Sequence, residues 1–428
     1  MTAPPATPAR PVDPLRAEHG AAHGAANRAA PRDAPHIAPT HAGGGGAGDV
    51  GSGGGPDGAR AAEDPALFHA VAPKAQGRTW RPRRVLVTRS ARDLPLARRT
   101  IARADAMGAE IVELKGDQIR GLTGGTAAET YRLAKSTLAI VVASPSKMRP
   151  QPIPPSADWR FDLATGCPAH CQYCYLAGSL KGPPVTRLHA NLPDILAGLA
   201  PFVGEGTVTS RSAERAGEGT TFEASCYTDP LGIEPVTGAL SDAVAHFGAW
   251  REDVQLRFTT KYDGVEPLLG IAHRGRTRAR FSVNAEPVTR RFEGGTAKLA
   301  DRLAAMGRMA EAGYPVGLTI APIMPIEDWR EHYGALVAGA ARALSRVNRP
   351  DVTAELITHR FTPGSKEVLL GWYPATSLEM DERVRARKRT KFGSLKYVYP
   401  AALMREMREA VEGMLARDLP DARVLYWT

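Results

Sequence analysis

The sequence predicts an α/β protein: an incomplete (β/α)6 barrel of the TIM type, preceded by a small α/β domain and, before that, a disordered tail. Three observations carry this expectation. From residue 156 onward, strand-like and helix-like stretches alternate as six βα units, the pattern of a parallel sheet that curls. Between 78 and 155 a shorter alternation ends in a proline-rich stretch. Residues 1–77 are dominated by Ala, Gly, Pro and Arg, with glycine runs at 43–46 and 53–55 and no aromatic residue before Phe68. Such a segment buries too little apolar surface to offset its ordering entropy.

In the small domain, residues 85–87 read as a strand, 94–107 as a helix and 111–114 as a second strand. A helix through Tyr131 leads into a third strand at 138–142. In the barrel, strands are expected at 158–165, 221–226, 254–261, 278–284, 315–323 and 351–360. The helices between them are clearest at 236–250, 296–312 and 327–346. A flat doubly wound sheet is the rival arrangement for the same alternation. Residues 204–220, polar and glycine-rich, read as a surface insertion.

Composition narrows the function. The chain has 428 residues, 43% hydrophobic, enough for a sizeable core. Its formal net charge of +10 favours a polyanionic partner such as nucleic acid, though arginine-rich surfaces also give such a value. No apolar run suffices to span a membrane, so a cytoplasmic protein is expected. Four cysteines in so long a chain do not make a disulfide framework; a tight cluster of them points to metal.

That cluster is Cys167-Pro168-Ala169-His170-Cys171-Gln172-Tyr173-Cys174, a C-x3-C-x2-C triplet followed by Tyr175. Three thiolates can hold a [4Fe–4S] cluster while leaving one iron open to a further ligand. Zinc is the alternative, but it needs a fourth ligand and usually pairs two short knuckles.

A triplet of this kind after the first strand of a βα barrel resembles the radical S-adenosylmethionine signature. Further segments match in order: Ala164-Thr165-Gly166-Cys167, Phe222-Glu223-Ala224-Ser225-Cys226, Thr260-Lys261-Tyr262, Arg280-Phe281-Ser282-Val283-Asn284, Glu355 through Phe361, and Lys396-Tyr397-Val398-Tyr399. Together they are similar to the spore photoproduct lyase family, from about residue 85 to the C-terminus.

The resemblance implies a DNA repair lyase that reverses a methylene-bridged thymine dimer by 5′-deoxyadenosyl radical chemistry. It implies Cys167, Cys171 and Cys174 as cluster ligands and Cys226 as hydrogen donor to the thymine radical. Tyr173 and Tyr175 match tyrosines that return the radical, and Lys261, Ser282 and Thr228 match contacts to S-adenosylmethionine. Thr228 stands where the family commonly has Ser. Other readings stay open: a free cysteine is commonly a small buried hydrophobe, and the tyrosines can simply pack over the cluster.

DNA contact is expected from Arg383, Arg385, Arg387, Lys388, Arg389 and Lys391, followed by Phe392, Tyr397 and Tyr399. Cations track phosphates and aromatics stack on displaced bases, although a bare charge run is usually a solvated face. In the family, a hairpin equivalent to that around Gly393 lies against the lesion. Lys391-Phe392 replaces the family's Arg-Tyr there, which removes a bidentate fork and a hydroxyl. The implied partners are UV-damaged DNA and an electron donor such as flavodoxin or ferredoxin, with the chain a monomer. Two other functions fit parts of the pattern: radical chemistry on another pyrimidine photodimer, and a non-catalytic iron–sulfur protein that binds nucleic acid.

Overall fold

A computed structural model describes residues 79–180, 182–389 and 393–428. The tail expected at 1–77, and Lys391 and Phe392, lie outside the described residues. Among the described residues no helix is long and apolar enough to cross a membrane.

The main sheet has eight strands. In spatial order they are β17 (Arg423–Trp427), β14 (Val352–Thr358), β13 (Val316–Ile323), β11 (Thr277–Val283), β10 (Val254–Thr260), β9 (Thr220–Ala224), β5 (Ala157–Phe161) and β4 (Gln151–Ile153). All neighbours pair in parallel except β4, which runs antiparallel at the edge. Helices cover the outer face and the sheet curls as a half-barrel. The helix Leu299–Glu311 shows why: Leu299, Leu303, Met306 and Ala310 recur at helical spacing and are buried. The seventh parallel strand, β17, is absent from the sequence reading. It is the last segment of the chain and carries no following helix to complete a βα signal.

The strands alternate with a period of two, and the concave face is polar. On β11, Ala279, Phe281 and Val283 turn to the helices, while Arg278, Arg280 and Ser282 turn inward. Arg257 on β10 and Glu223 and Glu355 on β9 and β14 join them. Buried charges survive only in pairs. Arg280 bridges Glu223 at 2.6 Å and Glu355 at 2.8 Å, and Arg257 meets Glu355 at 3.0 Å. Their mutual attraction holds the Glu355 carboxyl down at about 2. This layer is the floor of the half-barrel.

A second sheet has five strands, ordered β2 (Glu110–Glu113), β1 (Arg84–Val87), β3 (Thr137–Val141), β8 (Thr186–His189) and β6 (Ala164–Thr165). It does not end at residue 155: β8 and β6 come from within the segment assigned to the barrel. The strand expected at 158–165 is therefore two, β5 in one sheet and β6 in the other. Between them lie Asp162 and Leu163, and the chain changes sheets there.

The stretch expected as a surface insertion is tied down. The Asp158 carboxylate accepts from the backbone of Val208, Thr209 and Thr221 at 2.8–3.0 Å, and Arg215 donates to the Pro155 carbonyl at 3.0 Å. Two short pairings remain, β7 (His170–Cys171) with β12 (Glu293–Gly294), and β15 (Ala386–Arg389) with β16 (Leu395–Val398).

Candidate active site

The C-terminal ends of the parallel strands open onto a cavity of about 240 Å³. Cys167, Cys171 and Cys174 line one wall and Cys226 another. Tyr173, Tyr175, Thr228, Lys261 and Ser282 line the same cavity, so nine residues expected from four separate segments meet in one place.

Local geometry explains how the cysteine loop is presented. Gly166 turns the chain out of β6 with φ +77°, and a Cβ there would sit 2.1 Å from the Val185 carbonyl oxygen. β12 then pairs with the loop, Glu293 opposite Cys171, and Gln172 N donates to the Phe292 carbonyl at 2.8 Å. From the other side Lys135, buried at the end of helix Ala127–Lys135, donates to the carbonyls of Cys167 (2.6 Å) and Ala169. Tyr131 on that helix reaches His170 Nδ1 at 3.1 Å and stacks on Trp372. Burial pushes the Cys167 thiol up to about 12, against the pull of Lys135.

Glu293, unremarked in the sequence, organises the next layer. It is 1% exposed and pairs with Arg302 at 2.6 Å and Lys261 at 3.0 Å, which hold its carboxyl at about 2 against burial. Tyr173 donates its hydroxyl proton to the same carboxylate, and Lys261 Nζ lies 2.9 Å from Ser282 Oγ. Tyr173 is thus a half-buried, hydrogen-bonded tyrosine, whereas Tyr175 is 41% exposed at the cavity, its ring 6.5 Å from that of Tyr227. The signal that marks this corner is Gly294-Gly295 directly after Glu293, a close backbone approach to the cysteine loop.

Cys226 is presented by strain. Ser225, at the end of β9, sits at φ 57°, unusual for a residue with a Cβ. Its Oγ accepts from Leu163 N (2.8 Å) and Ala164 N (3.2 Å), which fixes the turn and links it to the strand leading into the cysteine loop. Cys226 Sγ then lies 3.8 Å from Arg160 Nη1, with Asp162 3.9 Å from the same nitrogen. Burial, with Asp162 and Glu223 nearby, raises the thiol well above its usual value despite Arg160, so it stays protonated. Two residues on, Thr228 Oγ1 is buried without a hydrogen-bond partner.

The model of the spore photoproduct lyase family matches residues 80–428. The chain belongs to this family. It is 40% identical to the spore photoproduct lyase of Geobacillus sp. (strain Y412MC61) over 348 residues, 81% of this chain and 98% of that protein. For Bacillus subtilis (strain 168) the figures are 39% over 349 residues, with the same coverage. A solved spore photoproduct lyase complexed with dinucleoside spore photoproduct superposes with a TM-score of 0.75 at 38% identity, covering 82% of this chain and all of that one. A double mutant with bound AdoMet and the same dinucleoside gives 0.75 at 37%, with the same coverage.

The residues present fit the family's cofactors. Three thiols and the orphaned Thr228 hydroxyl share one cavity with Lys261 and Ser282.

The hairpin departs from expectation in its aromatic and arginine roles. Arg387 and Arg389 are exposed on β15. Tyr397 and Tyr399, expected to stack on bases, are only 3% and 7% exposed: Tyr397 stacks on Phe361 at 5.2 Å, and Tyr399 lies beneath the Arg385 guanidinium at 3.7 Å. Arg385 is buried too. It pairs with Glu379 and donates to the His359 carbonyl (3.0 Å) and Nδ1 (3.1 Å), which burial and two arginines keep neutral, near 3. These three residues hold the hairpin to the barrel.

Proposed function

We propose that this chain reverses the spore photoproduct in DNA to two thymines by radical S-adenosylmethionine chemistry, on a half-barrel read as six βα units with a seventh strand. The observation that carries the reading is the lining of one cavity by the three triplet thiols and by a fourth, protonated thiol held apart from them. When bound, the [4Fe–4S] cluster and S-adenosylmethionine supply the 5′-deoxyadenosyl radical that takes a hydrogen atom from the dimer.

Cys167, Cys171 and Cys174 would hold the cluster, their three thiolates serving as its protein ligands. Lys261, with Ser282 beside it, offers an ammonium for a carboxylate, and the unpartnered Thr228 hydroxyl offers a donor beyond the end of the neighbouring strand β9. The half-barrel wall excludes water from the reacting bases. Cys226 donates its sulfur-bound hydrogen to the thymine radical left when the bridge breaks. Tyr175, exposed in the cavity, gives its hydroxyl hydrogen to the resulting sulfur radical and would recover one from 5′-deoxyadenosine, returning the radical; Tyr173, tied to Glu293, orders Lys261 instead. DNA is held outside by the cations of the hairpin. A one-electron donor such as flavodoxin or ferredoxin, a monomeric state and a cytoplasmic location complete the proposal.

An anaerobic repair assay tests it, comparing defined spore photoproduct with cyclobutane dimers. Thymine release from the former alone is expected. Lys391-Phe392 favours a second reading, another pyrimidine photodimer, and repair of the cyclobutane dimer would establish it. Absence of 5′-deoxyadenosine with either lesion would leave a nucleic-acid-binding iron–sulfur protein.

A further inference from the structure

Among the described residues the buried arginines pair with carboxylates. Arg257 and Arg280 have Glu355, Arg302 has Glu293, and Arg385 has Glu379. One group breaks this pattern. Arg360, half-buried after the end of β14, lines the active-site cavity beside His359 and Tyr426. Among the described residues no hydrogen bond or ion pair involves it, and burial pulls its guanidinium below the usual value.

Two lysines share its surroundings. Lys388 on β15 and Lys396 on β16 are directly opposite in the antiparallel register, where like charges repel. Lys396 is half-buried, and burial with Arg360 and Lys388 drives its ammonium down to about 8. Neither lysine has a carboxylate partner among the described residues. The period of two places Arg387 and Arg389 on the opposite face of the hairpin, with Tyr397, so they do not belong to this group.

The bridge between Phe361 and Tyr397 sets Arg360 diagonally beside Lys396, so the three cations gather without a carboxylate partner among the described residues, and Arg360 lines the cavity that holds the thiols. The fold supplies every part of an anion site except the anion. The cofactor contacts Ser282 and Lys261 stand on β11 and just after β10, two and three strands away in the sheet, so this anion is not the cofactor's carboxylate.

We propose that Arg360, Lys388 and Lys396 form a phosphate seat that takes the phosphodiester joining the two nucleosides of the lesion. The inference rests on the repair reading, because a dinucleotide step whose bases enter this cavity leaves its own phosphate at the cavity rim. Arg360 supplies a fork for two phosphate oxygens, and the lysines supply point charges. Phosphate binding also relieves their mutual repulsion.

The test uses two lesions: a dinucleotide spore photoproduct with its internal phosphodiester, and the dinucleoside that lacks it. The kcat/KM ratio between them is measured for the wild type, Arg360→Gln and Lys396→Gln. Charge-assisted contacts of this kind make the dinucleotide better by a factor on the order of ten or more in the wild type. Each variant should bring the ratio toward one. Arg417→Gln, an exposed arginine paired with Asp418, should leave the ratio as it is. A wild-type ratio near one, or variants that slow both lesions equally, would overturn the seat. A ratio that falls only with longer oligonucleotides would move the contact to flanking phosphates and overturn the linking assignment. Equilibrium titration of both lesions, read in parallel, tests the seat even if neither is repaired, and that lack of repair would count against the repair reading alone.

Discussion

Replacing Glu293 by Gln removes one charge from the centre of the site and little else. The side chain is 1% exposed, and its partner Arg302 is completely buried. Breaking a buried pair leaves an uncompensated charge and typically costs about 3–5 kcal/mol. The depression of the Glu293 carboxyl from 4.5 to about 2 gives an independent figure of about 3 kcal/mol. The lower end applies, because Arg302 keeps its hydrogen bonds to Ala297 O, Ser282 O and Thr296 Oγ1 at 2.7–2.9 Å. A carboxyl depressed by folding contributes fully above its unfolded value, and the contribution is lost as pH falls through the folded one. The gap between wild type and Glu293→Gln should therefore be about 3 kcal/mol and flat from pH 7 to about 5, narrowing below about 4.5. Urea unfolding followed by circular dichroism, without oxygen, measures it. A gap under about 1 kcal/mol at pH 7, or one that does not narrow with acid, would refute the reasoning. Iron content should hold, because the pairing of Glu293 with Cys171 is through the backbone.

Cys226→Ala should cost only about 1 kcal/mol, keep the iron and still cleave S-adenosylmethionine on lesion DNA, while intact thymines fall and adducts of the unquenched radical rise. Mass spectrometry of the digested DNA reads this, and normal repair at the normal rate would remove the donor assignment. Arg385→Ala should destabilise by about 2–4 kcal/mol in thermal or urea unfolding without changing the salt dependence of DNA binding. Arg387→Ala should do the reverse, leaving stability within about 0.5 kcal/mol and lowering the slope of log affinity against log salt by about 0.9.

The residues proposed for the chemistry stand out in the sequence because they are local or sit at strand ends. The cysteine triplet lies within eight residues, and Cys226, Lys261 and Ser282 each fall where period-two strands stop. What supports them was not legible. Lys135 reads as an ordinary cation at a helix C-terminus, and only the fold brings its ammonium to carbonyls 32 residues away. Glu293 sits in a polar turn whose partners lie both before and after it in the chain. Arg385 is one of six cations in a short run, and nothing in that run marks the one that burial removes from solvent. Tyr397 and Tyr399 fail for a related reason: aromatics beside a basic run suit base stacking, but the same alternation equally seats a hairpin on a core. The sheet exchange at residue 162 was hidden because two consecutive strands with one intervening pair of residues read as a single long strand.

The cysteine loop has its clamps on opposite sides in time as well as in space. Lys135 and Tyr131 are synthesised before Cys167, but β12 follows much later, with 120 residues between Tyr173 and Glu293. At about 5–20 residues per second, a ribosome takes roughly 6–24 s to cover that distance. For that interval three thiols stand on a half-supported loop, open to oxygen and to stray metal ions. A correctly shaped receptacle for iron exists only once the strand and helix that precede Glu293 have formed, so the order of translation itself sets when the protein is ready to be loaded.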